Sequence, residues 1–144
     1  MLAVLVPATI LVALTVIVHS AGMVALIRWV WRSHAVIGSG FWQQTWLLMR
    51  LAWALIAIHL VEIAIWALFY WLRGCLPDLE SALYFAGVTY TTVGYGDVVL
   101  PDAWRLLGPI EGLTGILMCG LSTGFFFAVV SKLYATFRKA DANA

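Results

Sequence analysis

Three long apolar runs constrain this chain more than any other feature, because each is long enough to cross a lipid bilayer. They extend roughly from Val4 to Trp31, from Trp46 to Leu72 and from Trp104 to Tyr134. A spanning helix needs about 20 mostly apolar residues, since the hydrocarbon core is roughly 30 Å thick and a helix rises about 1.5 Å per residue. Hydrophobic residues make up 64% of the 144 residues and charged residues 10%, which excludes a water-soluble domain. The sequence predicts an all-α integral membrane protein with three transmembrane helices.

Basic residues predict how these helices are oriented. The first run lacks the basic start of a cleaved signal peptide and is too long for one, so it is expected to be retained. Lysine and arginine concentrate at the end of the first run, the start of the second and the end of the third: Arg28, Arg32, Arg50, Lys132, Arg138 and Lys139. These residues should face the cytoplasm, which puts the N-terminus and residues 74–101 outside and the C-terminus inside. We expect a multi-pass protein of the cell membrane.

The break between the second and third runs is not an ordinary loop. Pro77 and Asp78 indicate a helix start, with Glu80 in the first turn, where a carboxylate complements the positive helix end. The following stretch SALYFAGVTYT is apolar enough to enter the membrane and too short to cross it. Non-helical backbone at membrane depth is tolerated only when it is buried in protein or lines a watery path. The residues after this short helix, Thr92 to Gly96, are therefore predicted to line such a path.

The stretch TTVGYGD, residues 91–97, resembles the signature of the potassium-channel pore family. The order of outer helix, short pore helix, filter and inner helix is also similar to the pore module of that family, over about Trp46 to Tyr134. The resemblance implies a prokaryotic-type channel that conducts K+ passively, in which backbone carbonyls from four identical chains replace the water around the ion. It implies K+ binding by the carbonyls of Thr92, Val93, Gly94 and Tyr95 and by the Thr92 hydroxyl, with Gly96 completing the filter.

The expected partners and domains follow from the same resemblance. Copies of the chain and membrane lipids are the expected partners, and no cofactor other than K+ and no small-molecule substrate is expected. A net charge of +1 suggests no special affinity for nucleic acid. Residues 1–45 would form an additional transmembrane helix and a cytoplasmic linker, residues 46–137 the pore module, and residues 138–144 a short cytoplasmic tail. A non-selective cation channel and a non-conducting regulatory subunit stay open as alternatives.

Several residues around the filter are candidates for supporting roles. Asp97 is expected at the outer mouth, where an acid concentrates cations. Some family members carry an acid on the pore helix behind the filter, where this chain has Val88. Glu111, an acid in the third apolar run, is predicted to substitute for it by hydrogen-bonding to the pore helix through Tyr90 or Thr89. A contact that stabilises the tetramer without a part in conduction is the alternative.

The third run contains GLSTG, residues 120–124, which allows two interpretations. Gly120 and Gly124 are small residues where inner helices bend as a hinge or simply pack closely. The same letters match the G-x-S-x-G elbow of hydrolases around Ser122, with His19 and His59 as candidate bases. That elbow requires a strand-to-helix turn, whereas Ser122 lies in the middle of a predicted span, so an enzyme is not expected. His59 and Glu62 are three residues apart and should pair, as a structural pair or as a pH sensor.

Overall fold

The computed structural model describes residues 2–32 and 40–141, which form four helices. These are α1 (Leu2–Arg32), α2 (Phe41–Leu72), α3 (Leu79–Tyr90) and α4 (Leu107–Asp141). Three segments, Val4–Arg32, Phe41–Leu72 and Leu107–Ala135, are long and apolar enough to cross a membrane. No strand occurs in the described residues. The predicted fold class is confirmed, while the predicted linker lies largely outside the described residues.

The helix ends differ from the ends of the apolar runs. α2 begins at Phe41, five residues before the predicted start at Trp46, so the domain boundary drawn there falls inside a helix. α4 begins at Leu107, after a turn that contains Trp104, and continues past Tyr134 to Asp141. The length of an apolar run corresponds to the thickness of the hydrocarbon core. A helix can continue past the end of its apolar run into the polar interface. Composition therefore locates a span better than it locates the ends of its helix.

Two apolar clusters hold the helices together at opposite ends of the bundle. At one end, the first turns of α1 pack on the last turns of α2 and on α3; the buried members include Val4, Ala8, Leu11, Trp66, Tyr70, Ala82, Phe85 and Leu107. At the other end, Val30 of α1 packs with Leu47 and Leu51 of α2 and with Val129 and Leu133 of α4. The end of α1 therefore lies beside the start of α2 and the end of α4, as three successive spans of alternating direction require.

The short helix α3 starts where the sequence predicts. Asp78 has an extended backbone and caps the helix, because its side chain accepts a hydrogen bond from the backbone N–H of Ser81 at 2.7 Å. That hydrogen bond lowers the pKa of the Asp78 carboxyl, which keeps it charged at the helix N-terminus. Ala82 and Ala86 are fully buried, and their small side chains allow α3 to lie close to its neighbours.

Polar side chains attach α1 to α2 inside the apolar bundle. The indole N–H of Trp66 donates to Thr15 Oγ1 at 3.0 Å, and Nδ1 of His19 lies 2.9 Å from Glu62 Oε1. All four side chains are buried, so none of these groups can obtain a hydrogen bond from water. Hydrogen bonds of this kind between membrane helices contribute about 0.6–2 kcal/mol each. The first helix is therefore attached specifically, not only by apolar packing.

Candidate ion-conduction site

The backbone between α3 and α4 has an alternating conformation over the filter segment, residues 92–96. The angle φ is positive at Thr92 (61°), Gly94 (51°) and Gly96 (77°), and no positive φ occurs at the two residues between them. Thr92 is the one non-glycine residue with positive φ in the described chain. This left-handed region costs an L-residue with a side chain roughly 1–2 kcal/mol. Glycine at positions 94 and 96 therefore removes much of the strain of this conformation.

The hydrogen bonds of the filter segment leave its carbonyl groups free. The N–H of Thr92 donates to the Thr89 carbonyl at 2.9 Å, and those of Val93 and Gly94 donate to the Val88 carbonyl at 2.9 and 3.0 Å. No carbonyl oxygen of residues 92–96 accepts a hydrogen bond from a described residue. Backbone acceptors removed from water need a partner. The first three N–H groups of the segment thus point toward the end of α3, while its carbonyl groups are available to an ion or to water.

Asp97, the predicted outer-mouth acid, is exposed and tied to α3. The hydroxyl of Tyr84 donates to Asp97 Oδ2 at 2.7 Å. This hydrogen bond lowers the pKa of the Asp97 carboxyl, which therefore stays ionised at neutral pH. The two residues on either side of Gly94, Val93 and Tyr95, are also exposed, by 52% and 72% of their surface. The filter segment consequently presents both apolar side chains and free carbonyls on the surface of the chain.

The predicted hydrogen bond from Glu111 to Tyr90 or Thr89 is wrong. Glu111 is fully buried, and its Oε2 accepts a hydrogen bond from the hydroxyl of Tyr70, on α2, at 2.8 Å. The next residue, Gly112, faces α3, since a Cβ there would lie 3.4 Å from the Thr89 carbonyl oxygen. Successive residues of a helix point about 100° apart, because a turn contains 3.6 residues. Glu111 therefore points away from Thr89 and toward α2.

Tyr90 is bonded to a different carboxylate, at the centre of a group we call the Glu62 cluster: Glu62, His19, His59 and Tyr90. The Tyr90 hydroxyl donates to Glu62 Oε2. His59 Nδ1 lies 3.2 Å from the same oxygen, which confirms the predicted pair, and His19 Nδ1 lies beside Oε1. The cluster joins α1, α2 and the last residue of α3. Sequence reasoning noticed each histidine separately but not their meeting; polar residues inside apolar spans were the available signal.

Ser122 extends this cluster to α4. Its Oγ lies 3.0 Å from His59 Nε2, so serine, imidazole and Glu62 carboxylate follow one another as in a hydrolase triad. Ser122 nevertheless lies within the continuous helix α4, where the elbow motif requires a strand-to-helix turn. In a helix the backbone N–H groups around it are bonded to carbonyls one turn earlier, so they cannot stabilise an oxyanion. The hydrolase interpretation of GLSTG thus lacks two of its structural requirements.

Gly115 is a residue whose importance the sequence did not reveal. A Cβ at this position would lie 2.0 Å from the carbonyl oxygen of Tyr90, so α4 touches the end of the pore helix through this glycine. At Gly120 and Gly124, by contrast, a Cβ would meet nothing within 4 Å in this chain. Since α4 is helical through both positions, their role as a hinge stays a prediction.

Comparison with known proteins identifies the kind of chain that carries this geometry. A protein-family model described as "Ion channel" matches residues 56–132, which is more than half of the chain. The chain belongs to this ion channel family. The matched residues begin in α2, include all of α3 and the filter segment, and end in α4. No curated protein and no solved structure gave a match. In this channel, α1 precedes the matched residues and is joined to them through Thr15 and His19.

Proposed function

We propose that this ion channel is a potassium-selective channel that conducts K+ passively. The observation that carries the proposal is the filter segment: a TVGYG sequence with positive φ at alternate residues and with carbonyl groups that accept no hydrogen bond from the described residues. A dehydrated K+ ion needs oxygen ligands in place of its water, and layers of carbonyl oxygens supply them. In this proposal the carbonyls of Thr92, Val93, Gly94 and Tyr95 and the Thr92 hydroxyl bind K+.

The proposal includes a homotetramer. One chain supplies a single carbonyl at each level of the filter, whereas the ion needs a ring, and closed rotational symmetry of identical chains provides one. The filter segment cannot face lipid, because unpaired backbone groups in hydrocarbon cost several kcal/mol each. Exposed Val93 and Tyr95 support the same conclusion, since neighbouring chains would cover them.

The proposed orientation places the filter segment outside and the basic end of the bundle in the cytoplasm of the cell. Arg50 lies over the ring of Trp29, with 5.7 Å between the guanidinium carbon and the ring centroid. Lys132 lies over Trp31, with 4.3 Å between the amine and the centroid. Basic and tryptophan side chains thus lie together at the end of the bundle opposite to α3, and the excess of basic residues in cytoplasmic regions supports this orientation.

Flux through the purified protein in liposomes tests the proposal. Vesicles loaded with K+ and diluted into impermeant-cation buffer should release K+, while matched vesicles loaded with Na+ should retain Na+. Equal release of both ions would identify a non-selective cation channel instead. No release from vesicles that contain intact tetramers would identify a non-conducting subunit. Either of these results would refute potassium-selective conduction.

A hydrolase is the second candidate. Ser122 lies within hydrogen-bonding distance of His59, and His59 lies within hydrogen-bonding distance of Glu62. A fluorophosphonate probe reacts with an activated serine and provides a direct test. We expect no labelling of the channel, since the helical backbone around Ser122 offers no free N–H group to an oxyanion. Labelling that disappears in Ser122→Ala would establish the hydrolase instead.

A further inference from the structure

The Glu62 cluster contains a buried carboxyl group, which needs a positive counterpart when it is ionised. Glu62 is fully buried, His19 and Tyr90 are each 1% exposed, and the side chain of His59 is 18% exposed. In the described chain, the ion pairs of Glu62 are with His19 and His59 alone. An isolated carboxylate inside a membrane protein is costly and usually marks a functional site. The positive charge must therefore come from the histidines or from a bound cation.

We infer that the Glu62 cluster is a binding site for a divalent transition-metal ion of the Zn2+ class. One ligand atom from each of His19, His59 and Glu62 lies within 4.8 Å of the others. The carboxylate oxygens are 2.9 Å from His19 Nδ1 and 3.2 Å from His59 Nδ1. Zinc bonds of about 2.0–2.2 Å in a tetrahedron place ligand atoms roughly 3.3 Å apart. The two histidine-to-carboxylate distances are close to this value, although each runs to a different oxygen of Glu62, and the three ligand atoms lie within 4.8 Å of one another.

The chemistry of the ligands suits such an ion. Two imidazoles and one carboxylate are ligands that zinc uses in proteins, and imidazole favours Zn2+ and its neighbours over Ca2+ or Mg2+. The Tyr90 hydroxyl lies 3.0 Å from His59 Nδ1 and donates to Glu62 Oε2, so it can support the carboxylate from outside the three ligands. A divalent ion would also neutralise the Glu62 carboxylate and displace protons from the histidines.

The second ring nitrogens of the two histidines, Nε2 in each, have different surroundings. His59 Nε2 lies 3.0 Å from Ser122 Oγ, and a partner on the second ring nitrogen is what orients a metal-binding histidine. His19 Nε2 is buried and has no hydrogen-bond partner in the described residues, so His19 lacks such an orienting partner. An open, mostly apolar cavity of about 360 Å³, lined in part by His59, Ser122 and Cys119, lies beside His59.

Cobalt titration of the full-length channel tests this inference. The protein is purified with a tag that contains no histidine, treated with a chelator, and titrated with Co2+, whose visible absorption bands are intense in tetrahedral sites. We expect one Co2+ per chain, bound at micromolar concentration and displaced by Zn2+. Absence of these bands in the parent protein overturns the inference.

Substitutions locate the bound ion. His19→Gln, His59→Gln and Glu62→Gln each remove a ligand and should weaken binding by at least about 100-fold, beyond the effect of losing an orienting partner. Ser122→Ala removes such a partner and should weaken it about 10-fold. His34→Gln changes the one histidine of the sequence that is outside the cluster, and this variant should bind Co2+ as the parent does.

Each variant is compared only if it elutes from a sizing column as the parent does, and the remaining ligand variants decide if one does not. If none of them elutes as the parent does, the melting temperature of the parent is measured with and without Zn2+. An increase on addition of Zn2+ that His34→Gln also shows supports the site. An unchanged melting temperature refutes it. Binding that survives the ligand substitutions, or that is lost in His34→Gln, overturns the site. The measurement detects binding and not flux, so it stands or fails separately from potassium conduction.

Discussion

At the scale of single residues, Tyr90 connects the filter segment to the rest of the bundle. It is the last residue of α3, two positions before Thr92, and its hydroxyl donates to Glu62 on α2. Where some members of the potassium-channel pore family carry an acid on the pore helix, this chain has Val88. The carboxylate that is hydrogen-bonded to the end of α3 is Glu62, through Tyr90, and not Glu111.

Tyr90→Phe tests this connection because it removes the hydroxyl and keeps the ring. Glu62 then loses a donor in a fully buried position, which costs about 1–3 kcal/mol. We expect a lower melting temperature of the purified channel and altered open lifetimes in single-channel records. Tyr134→Phe is the matched control, since the Tyr134 side chain is exposed and should change neither. Equal melting temperatures for the two variants would contradict the proposed role of Tyr90.

Gly94→Ala tests the conformation of the filter segment. Gly94 has a φ of 51°, and alanine in this conformation is strained by roughly 1–2 kcal/mol. In the proposed tetramer this strain would occur in every subunit. K+ release from liposomes should be lost while the protein remains inserted and oligomeric. Gly87→Ala is the control, because Gly87 lies in α3 without positive φ and a Cβ there meets nothing within 4 Å. Normal selective flux through Gly94→Ala would refute the assignment of the filter.

At the scale of secondary-structure elements, α4 approaches the end of α3 most closely at Gly115. A Cβ at Gly115 would overlap the Tyr90 carbonyl oxygen, which is backbone and cannot move without shifting the end of the pore helix. On the other side, α2 holds the same residue through Glu62. The start of the filter segment is therefore held between two spans, and a displacement of either would reach Thr92.

Gly115→Ala should consequently destabilise the channel and reduce K+ flux. Overpacking of a close contact typically lowers the free energy of unfolding by about 1–3 kcal/mol. Here the opposing atom belongs to the backbone, so it cannot move aside as a flexible side chain could. Gly124→Ala, on the same helix, meets nothing in this chain and should leave the melting temperature unchanged or slightly higher. Differential scanning fluorimetry of the two variants gives the comparison. A melting temperature for Gly115→Ala equal to that of the parent would show that the two helices are farther apart.

At the scale of the whole molecule, the proposed orientation separates the two ends of the bundle. Native Cys75 is buried, so an engineered thiol is a better reporter. In a cysteine-free background, Asp102→Cys should react with an impermeant maleimide added to intact cells, because the Asp102 side chain is 98% exposed. Gln43→Cys, at the exposed start of α2, should react only after the membrane is permeabilised. The opposite pattern of labelling would invert the proposed topology.

The sequence by itself was sufficient for those features that depend on local composition. Spans follow from the length of apolar runs, and the start of α3 follows from Asp78, whose side chain caps the helix within three residues. The positive φ values at Gly94 and Gly96 likewise agree with what glycine allows. Each of these depends on neighbours along the chain, so no knowledge of packing was needed. Ends of helices were less accessible, because helices continue beyond the apolar run that reveals them.

Only the tertiary structure decided which side chains meet. Glu111 was predicted to hydrogen-bond to Tyr90 or Thr89, but the hydrogen bonds are between Glu111 and Tyr70 and between Tyr90 and Glu62. The depth of a residue in the membrane follows from its number, whereas the direction of its side chain depends on the rotation of the helix, which changes by about 100° per residue. That rotation is set by small contacts such as Gly115 against Tyr90, which involve residues far apart in the chain. The Glu62 cluster therefore exists only because three helices pack in one particular rotation.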